Sequence, residues 1–295
     1  MCCVVPTRTT SSIRLKAVFV TTTRRTFIAS LSALAAPLHG HAQNTLRVGG
    51  SGMCKPLLGS LSALYAGQPG ASPITVAPPL GSTGSIRGVL SGQLELACIS
   101  RPLTAIEKSG GLVTVPLARS PFVVIAHPHV PLREMQGPEL IRLLSDPGAT
   151  FSDGTRARPI LRPAEDTDTH MLARLYPGVA AALTSCATRP GIVVAATDQD
   201  AVRAVASTPG AFSVSTLGLL VPEQSQVKIL DWSGHSPLRD DRANPDYPHQ
   251  KEVRFVFAAH AAALTLKFVA FARTTAAQSL MARWGYLPVK PGGTP

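Results

Sequence analysis

Three short motifs rich in glycine and hydroxyl side chains indicate an anion-binding site. The motifs are Val48–Met53, Gly81–Ile86 and Ser100–Leu103, and each follows an apolar stretch typical of a β-strand. Glycine lets the backbone approach a ligand closely, while hydroxyls and the free N–H groups at the start of a helix donate hydrogen bonds to negative charge. Any one motif also fits an ordinary strand-to-helix turn, but three in succession favour one shared site for an oxyanion.

The elements around these motifs alternate between strand and helix. The pattern predicts strands at Thr45–Val48, Ile74–Ala77 and Glu95–Ile99, and helices at Pro56–Tyr65 and Ile86–Ser91. Such alternation is typical of a doubly wound α/β sheet. Because ligands of open α/β sheets lie at the carboxyl ends of the strands, we expect the three motifs to meet at one edge of the sheet.

The order and spacing of the motifs resemble those of the phosphate-type solute-binding proteins of ABC importers. Two later segments, Thr208–Ser215 and Gly285–Pro288, resemble that family as well, so the resemblance covers nearly the whole chain after residue 42. It implies an α/β, two-lobed type II periplasmic-binding-protein fold with doubly wound sheets and two hinge crossovers. It also implies binding of inorganic phosphate or a similar oxyanion, with no catalytic residue, cofactor or metal.

The resemblance also divides the chain into two lobes. Residues 43–118 and 221–295 are expected to form the first lobe and residues 119–220 the second. The chain would cross between them in extended form near Leu117–Pro121 and Leu217–Pro222. Further predicted elements are strands at Phe122–Ala126, Pro159–Arg162, Ile192–Ala195, Val227–Leu230 and Glu252–Phe257, helices at His170–Tyr176, Ala261–Thr274 and Ala277–Trp284, and a loop at His235–Tyr247.

The ligand-binding residues that the resemblance implies come from both lobes. They are Gly52, Met53, Ser82, Thr83, Gly84, Ser100, Arg101, Arg162, Thr167 and Thr169. Arg162 ends a strand, where a guanidinium can bind two oxygens of a tetrahedral anion. Thr167 and Thr169 can add hydroxyl and N–H donors at the start of the next helix.

Several positions depart from the family pattern or allow two roles. Asp166 and Asp168 stand where the family has a turn closer to Ser-Gly-Thr, and they either cap a helix toward solvent or enter the cleft and repel an anion. Ser100 stands where the tightest phosphate binders place an aspartate, which leaves sulfate, molybdate and organic phosphates open as ligands. Arg101 either contacts the anion or supports the site through a salt bridge, and Arg162 also fits a purely structural ion pair.

Residues 1–42 have the features of an export signal. They contain five basic residues and no acidic one, and Phe27–Leu38 is an apolar run too short to span a bilayer. Small residues precede Gln43, where a signal peptidase would cut. Arg24 and Arg25 resemble a twin-arginine signal, although an ordinary secretory signal is the alternative. We therefore expect a periplasmic protein that lies peripheral to the inner membrane.

The composition of the chain limits the classes of partner that the protein can bind. The formal net charge is +11, of which the five basic residues of the leader supply five, so +6 remains after cleavage. This mild excess suits a small anion, and the absence of basic runs interleaved with aromatics argues against nucleic acid. Cys54, Cys98 and Cys186 remain after cleavage without metal-site spacing. The family resemblance implies a monomer that docks on ABC permease subunits.

Two other function classes remain open from the sequence. One is a ligand-sensing module for a membrane receptor, which would use the same site. The other is a phosphatase-like enzyme, although Ser51 lacks the final glycine of a nucleophile elbow. His127, His129 and His235 could bind a metal, but isolated surface histidines are the simpler reading.

Overall fold

A mixed β-sheet flanked by helices runs through residues 45–289, the part of the chain that the computed structural model describes. The strands are β1 (Leu46–Gly50), β2 (Ile74–Val76), β3 (Leu96–Ile99), β4 (Leu112–Ala126), β5 (Glu134–Met135), β6 (Arg158–Leu161), β7 (Val193–Val194), β8 (Ala211–Thr216), β9 (Lys228–Trp232), β10 (Leu238–Arg239), β11 (Arg242–Ala243), β12 (Gln250–Ala258) and β13 (Leu287–Pro288). The helices are α1 (Lys55–Ala66), α2 (Gly81–Leu90), α3 (Ala105–Ser109), α4 (Gly137–Ser145), α5 (Thr167–Leu172), α6 (Val179–Ala187), α7 (Asp198–Ser207), α8 (Leu217–Leu220), α9 (Ala263–Phe271) and α10 (Thr275–Arg283). The expected export signal lies outside the described residues.

The strand order confirms the α/β class. Along the sheet the order is β2-β1-β3-β12-β4-β8-β6-β7. β1 pairs in parallel with β2 and β3, β6 pairs in parallel with β7 and β8, and β12 runs antiparallel between β3 and β4. Parallel strands joined through helices at both ends of the sheet are the doubly wound pattern of a two-lobed fold.

One long strand carries the chain from the first lobe to the second. The first part of β4, up to Pro121, pairs with β12, whereas Phe122–Ala126 pairs with β8. This crossing lies where the sequence placed the first crossover. An extended strand shared by both halves of the sheet joins the two lobes through continuous backbone hydrogen bonds.

The second crossover differs from the extended segment that the sequence predicted. Leu217–Leu220 forms the helix α8, and all four residues are buried. The Gly218 N–H donates to the Ser120 hydroxyl at 2.9 Å, which fixes α8 against β4. An all-apolar tetrapeptide carries no helical period, so only the surrounding core decides its conformation. The predicted loop at His235–Tyr247 likewise contains a small hairpin, β10–β11.

Two large hydrophobic cores lie in the two lobes, and the first extends across the boundary. Leu57 and Phe255 belong to the first core and Phe122 to the second, but Val202 and Val205 of α7 pack into the first core as well. β9, which the expected division places in the first lobe, pairs with Val124–Ala126, and its Leu230 is buried in the second core. The lobes are therefore packed against each other. Within residues 45–289 no helix has the length and apolar character to cross a membrane.

Candidate functional site

The structure brings the first-lobe motifs together at the carboxyl ends of β1 and β3. Gly50 pairs with Cys98 in the sheet, and the Leu80 N–H donates to the Gly50 carbonyl at 3.1 Å. The Ser82 and Ser100 hydroxyl oxygens lie 3.1 Å apart, and the Ser100 N–H also donates to Ser82 Oγ at 3.1 Å. Both serines are buried. They therefore form a polar floor at this edge of the sheet.

Helix α2 begins earlier than the sequence predicted. The expected start was Ile86, but the helix begins at Gly81, so Ser82, Thr83 and Gly84 form its first turn. Gly81 has a φ of +66°, which favours glycine, and no side chain in the described part of the chain caps the first-turn N–H groups. The motif therefore presents uncapped helix N–H groups beside the two serines.

Arg101 is held in an ion pair beside this floor. Its guanidinium donates to both carboxylate oxygens of Glu107, at 2.7 and 2.8 Å, and to the exposed Thr83 hydroxyl at 3.2 Å. The hydrogen bond from Arg101 lowers the pKa of Glu107 to about 2. The charge of Arg101 is thus balanced locally, which matches the supporting role considered for it rather than that of a free countercharge.

Gly52 and Met53 lie where the two lobes touch. The Gly52 carbonyl accepts a hydrogen bond from Gln199 Nε2 at 3.0 Å, and a Cβ on Gly52 would lie 2.0 Å from an Asp198 carboxylate oxygen. The Met53 side chain is buried in the core, and its carbonyl accepts a hydrogen bond from the Tyr286 hydroxyl at 2.8 Å. Gly52 therefore faces the second lobe directly, whereas Met53 anchors the turn.

Arg162 is the central cation of the second lobe. It directly follows β6 and is only 7% exposed. Its Nη2 donates to Asp166 at 2.9 Å and lies 3.8 Å from Asp198 Oδ2. Its Nε has no hydrogen-bond partner among residues 45–289. Arg162 thus has two carboxylate neighbours and one buried N–H to spare.

The two aspartates after Arg162 face inward rather than to solvent. Asp166 caps α5 by accepting from the Asp168 N–H at 2.8 Å, and it also pairs with Arg162. Asp168 is 1% exposed and forms an ion pair with the equally buried Lys251 of β12. Asp166 therefore caps α5 while it pairs with Arg162, and Asp168 lies in the interior.

Thr169 forms hydrogen bonds to the backbone of its own turn, and Thr167 begins α5. The Thr169 hydroxyl donates to the Pro163 carbonyl at 2.8 Å. It also lies 3.2 Å from the Arg162 carbonyl oxygen. Thr167 is the first residue of α5 and is half-buried. α5 has six residues, which is too short for the strong N-terminal dipole of a long helix.

Burial and neighbouring charges shift the pKa values of Asp168 and Lys251. The pKa of Asp168 is raised to about 6, because burial disfavours its charged form and Asp198 adds repulsion, while Lys251 opposes both effects. Burial lowers the pKa of Lys251, but Asp168 and Asp198 outweigh it, and that pKa lies above its ordinary value. Lys251 therefore stays charged at neutral pH.

The sequence reasoning missed Asp198, Gln199 and Lys251. The turn before α7 follows a strand and precedes a helix, as the other motifs do. This pattern was the available signal for Asp198. Lys251 shares one face of β12 with Val253 and Phe255, and all three are buried. A lysine on the apolar face of an alternating strand indicates a buried ion pair.

The candidate metal ligands do not converge on this site. His127 and His129 are neighbours with ring centres 5.0 Å apart, and their rings meet edge to face. Within residues 45–289 no group of three or more His, Cys, Asp or Glu side chains is arranged to hold a metal ion.

A family model described as "PBP superfamily domain" matches residues 35–274. A search of curated proteins finds no match.

Solved structures share the fold at low identity. A Clostridium perfringens protein described as a phosphate ABC transporter substrate-binding protein with bound phosphate has a TM-score of 0.67 at 16% identity, over 84% of this chain and 100% of that chain. An ABC-type phosphate transport receptor from Vibrio cholerae has a TM-score of 0.56 at 18% identity, over 82% and 99%. A reduced form of OxyR from N. meningitidis has a TM-score of 0.55 at 15% identity, over 83% and 99%.

Proposed function

Because the chain belongs to the PBP superfamily, we propose that it binds a small solute between its two lobes. The solute we propose is a tetrahedral oxyanion, with phosphate as the first candidate. Two similar structures are described as phosphate-binding components of ABC transport, one of them with bound phosphate. Of the residues predicted from the sequence, Ser82, Ser100 and Arg162 would be the main donors to the anion.

The observation that carries this proposal is the spare N–H of Arg162. A buried guanidinium N–H without a partner costs about 1–3 kcal/mol, and Arg162 Nε is such a group. Arg162 reaches toward Asp198, which touches Gly52 of the first lobe. An anion at this junction would satisfy Nε and would also lie near Gly52 of the first lobe. A guanidinium with an N–H to spare is the group best suited to an oxyanion.

The proposal extends to delivery and location. The leader implies export to the periplasm, by the secretory or the twin-arginine route, and the family resemblance implies docking of the loaded form on ABC permease subunits. A sensing module would use the same site but a different partner. The loaded protein should therefore stimulate a reconstituted cognate importer, whereas a sensor would bind its ligand without doing so. Turnover of a phosphomonoester by the purified protein would instead favour the phosphatase alternative.

Calorimetric titration with phosphate, arsenate, sulfate and molybdate tests the binding proposal. We expect at least one of these anions to bind, and we expect Arg162→Ala to weaken binding about 10- to 100-fold, since a charge-assisted hydrogen bond contributes about 1.5–3 kcal/mol. Arg158→Ala is the matched control, because Arg158 begins the same strand but is exposed. Absence of binding by all four anions, or equal affinity in Arg162→Ala and the wild type, would contradict the proposal.

A further inference from the structure

The charges at the lobe junction are unusual for an anion site. Two cations, Arg162 and Lys251, are surrounded by three carboxylates, those of Asp166, Asp168 and Asp198. All five residues are buried except Asp166, which is half-buried. With every group ionised the cluster carries a net charge of −1. An oxyanion would enter a site that already holds excess negative charge, and such charge is costly away from water.

One carboxyl group of this cluster, that of Asp168, is placed to take up a proton. Asp168 reaches inward from α5 and Asp198 from the start of α7, and the charge of Asp198 raises the energy of the charged form of Asp168. One oxygen of Asp168 pairs with Lys251, while its Oδ2 is buried without a partner among residues 45–289. Lys251 faces Asp168 from β12, Arg162 faces Asp198 from the end of β6, and Asp166 lies on the same turn as Asp168. A carboxyl oxygen without a donor beside a second carboxylate is the arrangement that favours protonation.

We infer that this site takes up a proton together with its anion, and that Asp168 carries the proton. The inference rests on the proposed function and concerns the regulation of the same site. The proton comes from solvent and forms an O–H bond on one carboxyl group, and no bond to the anion is made or broken. The cluster then has two positive and two negative groups before the anion enters. The anion therefore adds to a neutral site rather than to a negative one.

This coupling sets the direction of the pH dependence. If one proton is taken up per anion, the affinity falls by as much as tenfold per pH unit as the pH rises above the pKa of Asp168 in the ligand-free protein. The pKa of about 6 for Asp168 in the ligand-free protein places the onset of this loss near pH 6. Asp168→Asn removes the negative charge permanently. That variant should bind the anion with little pH dependence, and at pH 8 it should bind more tightly than the wild type.

The test uses sulfate and phosphate as probes between pH 5.5 and 8.0. Sulfate does not change its charge in this range, and the Asp168→Asn variant corrects for the titration of phosphate. Calorimetry in buffers of different ionisation enthalpy counts the protons taken up. We expect about one proton more for the wild type than for Asp168→Asn near pH 7.5. Glu165→Gln, an exposed acidic residue of the same turn, should keep the wild-type profile.

The outcomes separate the two proposals. Binding with equal proton uptake in the wild type and in Asp168→Asn overturns the inference and leaves the proposed function standing. Failure of both anions to bind at any pH overturns the proposed function instead. If Asp168→Asn does not fold, carboxyl ¹³C NMR of the ligand-free wild-type protein tests the inference instead. A buried aspartate that titrates near pH 6 supports it, and ordinary titration of every aspartate contradicts it.

Discussion

Lys251 and Asp168 meet in the interior although 83 residues separate them in the chain. Neither would be buried alone, because an isolated ion in a protein interior loses several kcal/mol of hydration. Lys251 is 3% exposed and Asp168 1%. Their pairing therefore ties β12 of the first lobe to α5 of the second through a contact that is tolerated only when both partners are present.

Removal of Lys251 should leave an uncompensated buried carboxylate. We expect Lys251→Met to lower the free energy of unfolding at pH 7.5 by about 3–5 kcal/mol. The loss should be smaller at pH 5, because Asp168 then accepts a proton more readily in the folded state than in the unfolded chain, so stability falls as the pH rises. Urea unfolding followed by circular dichroism measures both values.

Two further variants make this prediction specific. Adding Asp168→Asn to Lys251→Met should recover part of the lost stability, since the unpaired charge is gone. Lys267→Met, at an exposed lysine of α9, should change stability little. A Lys251→Met protein as stable as the wild type at pH 7.5 would show that the pair contributes nothing.

At the scale of the elements, some helices near the site begin at a local capping motif, whereas others are fixed by packing against distant residues. α7 begins with a capping box, in which the Thr197 hydroxyl accepts from the Asp200 N–H and the Asp200 carboxylate accepts from the Thr197 N–H. This start depends on two residues that are near neighbours in the chain, because capping is a local interaction. α8 has no such signal, and its position depends on Tyr286, whose hydroxyl lies 2.9 Å from the Gly218 carbonyl.

Gly218 and Gly59 are both helical glycines and should respond oppositely to alanine. A Cβ on Gly218 would lie 2.3 Å from the Tyr286 ring, whereas a Cβ on Gly59 in α1 would meet nothing within 4 Å. We expect Gly218→Ala to lower the free energy of unfolding by about 1–3 kcal/mol through overpacking. Gly59→Ala should raise it by about 0.5–1 kcal/mol through helix propensity. Thermal and urea unfolding measure both, and a stabilised Gly218→Ala protein would contradict the packing at α8.

For the whole molecule, the contact between Gly52 and Asp198 joins the lobes directly. Gln199 adds a hydrogen bond to the Gly52 carbonyl, and the first core continues into α7. Closure of two lobes on a ligand, which we propose for this protein, requires such contacts to form and break. Because Gly52 takes part in two of these contacts, it is a sensitive position.

Gly52→Ala should hold the lobes apart. The new Cβ would overlap the Asp198 side chain, whose own Cβ would be only 2.9 Å away, so rotation of the carboxylate alone does not relieve the clash. We expect a larger radius of gyration by small-angle X-ray scattering and weaker anion binding than in the wild type. The double variant Gly52→Ala/Asp198→Gly removes the overlapping side chain and should restore the wild-type radius. A single Gly52→Ala variant with unchanged scattering would refute this role of the contact.

The sequence by itself determined the α/β class, most strand positions and the place of Arg162 at the end of β6, because these depend on hydrophobic period, capping and turn residues that are near neighbours in the chain. It also predicted that the motifs of Ser82 and Ser100 meet at one edge of the sheet, as they do. Only the tertiary structure decided that α2 begins at Gly81, that Leu217–Leu220 is helical and that Lys251 pairs with Asp168. Those outcomes depend on which distant surfaces meet, and partners far apart in sequence leave no local pattern from which burial and charge at their meeting point can be predicted.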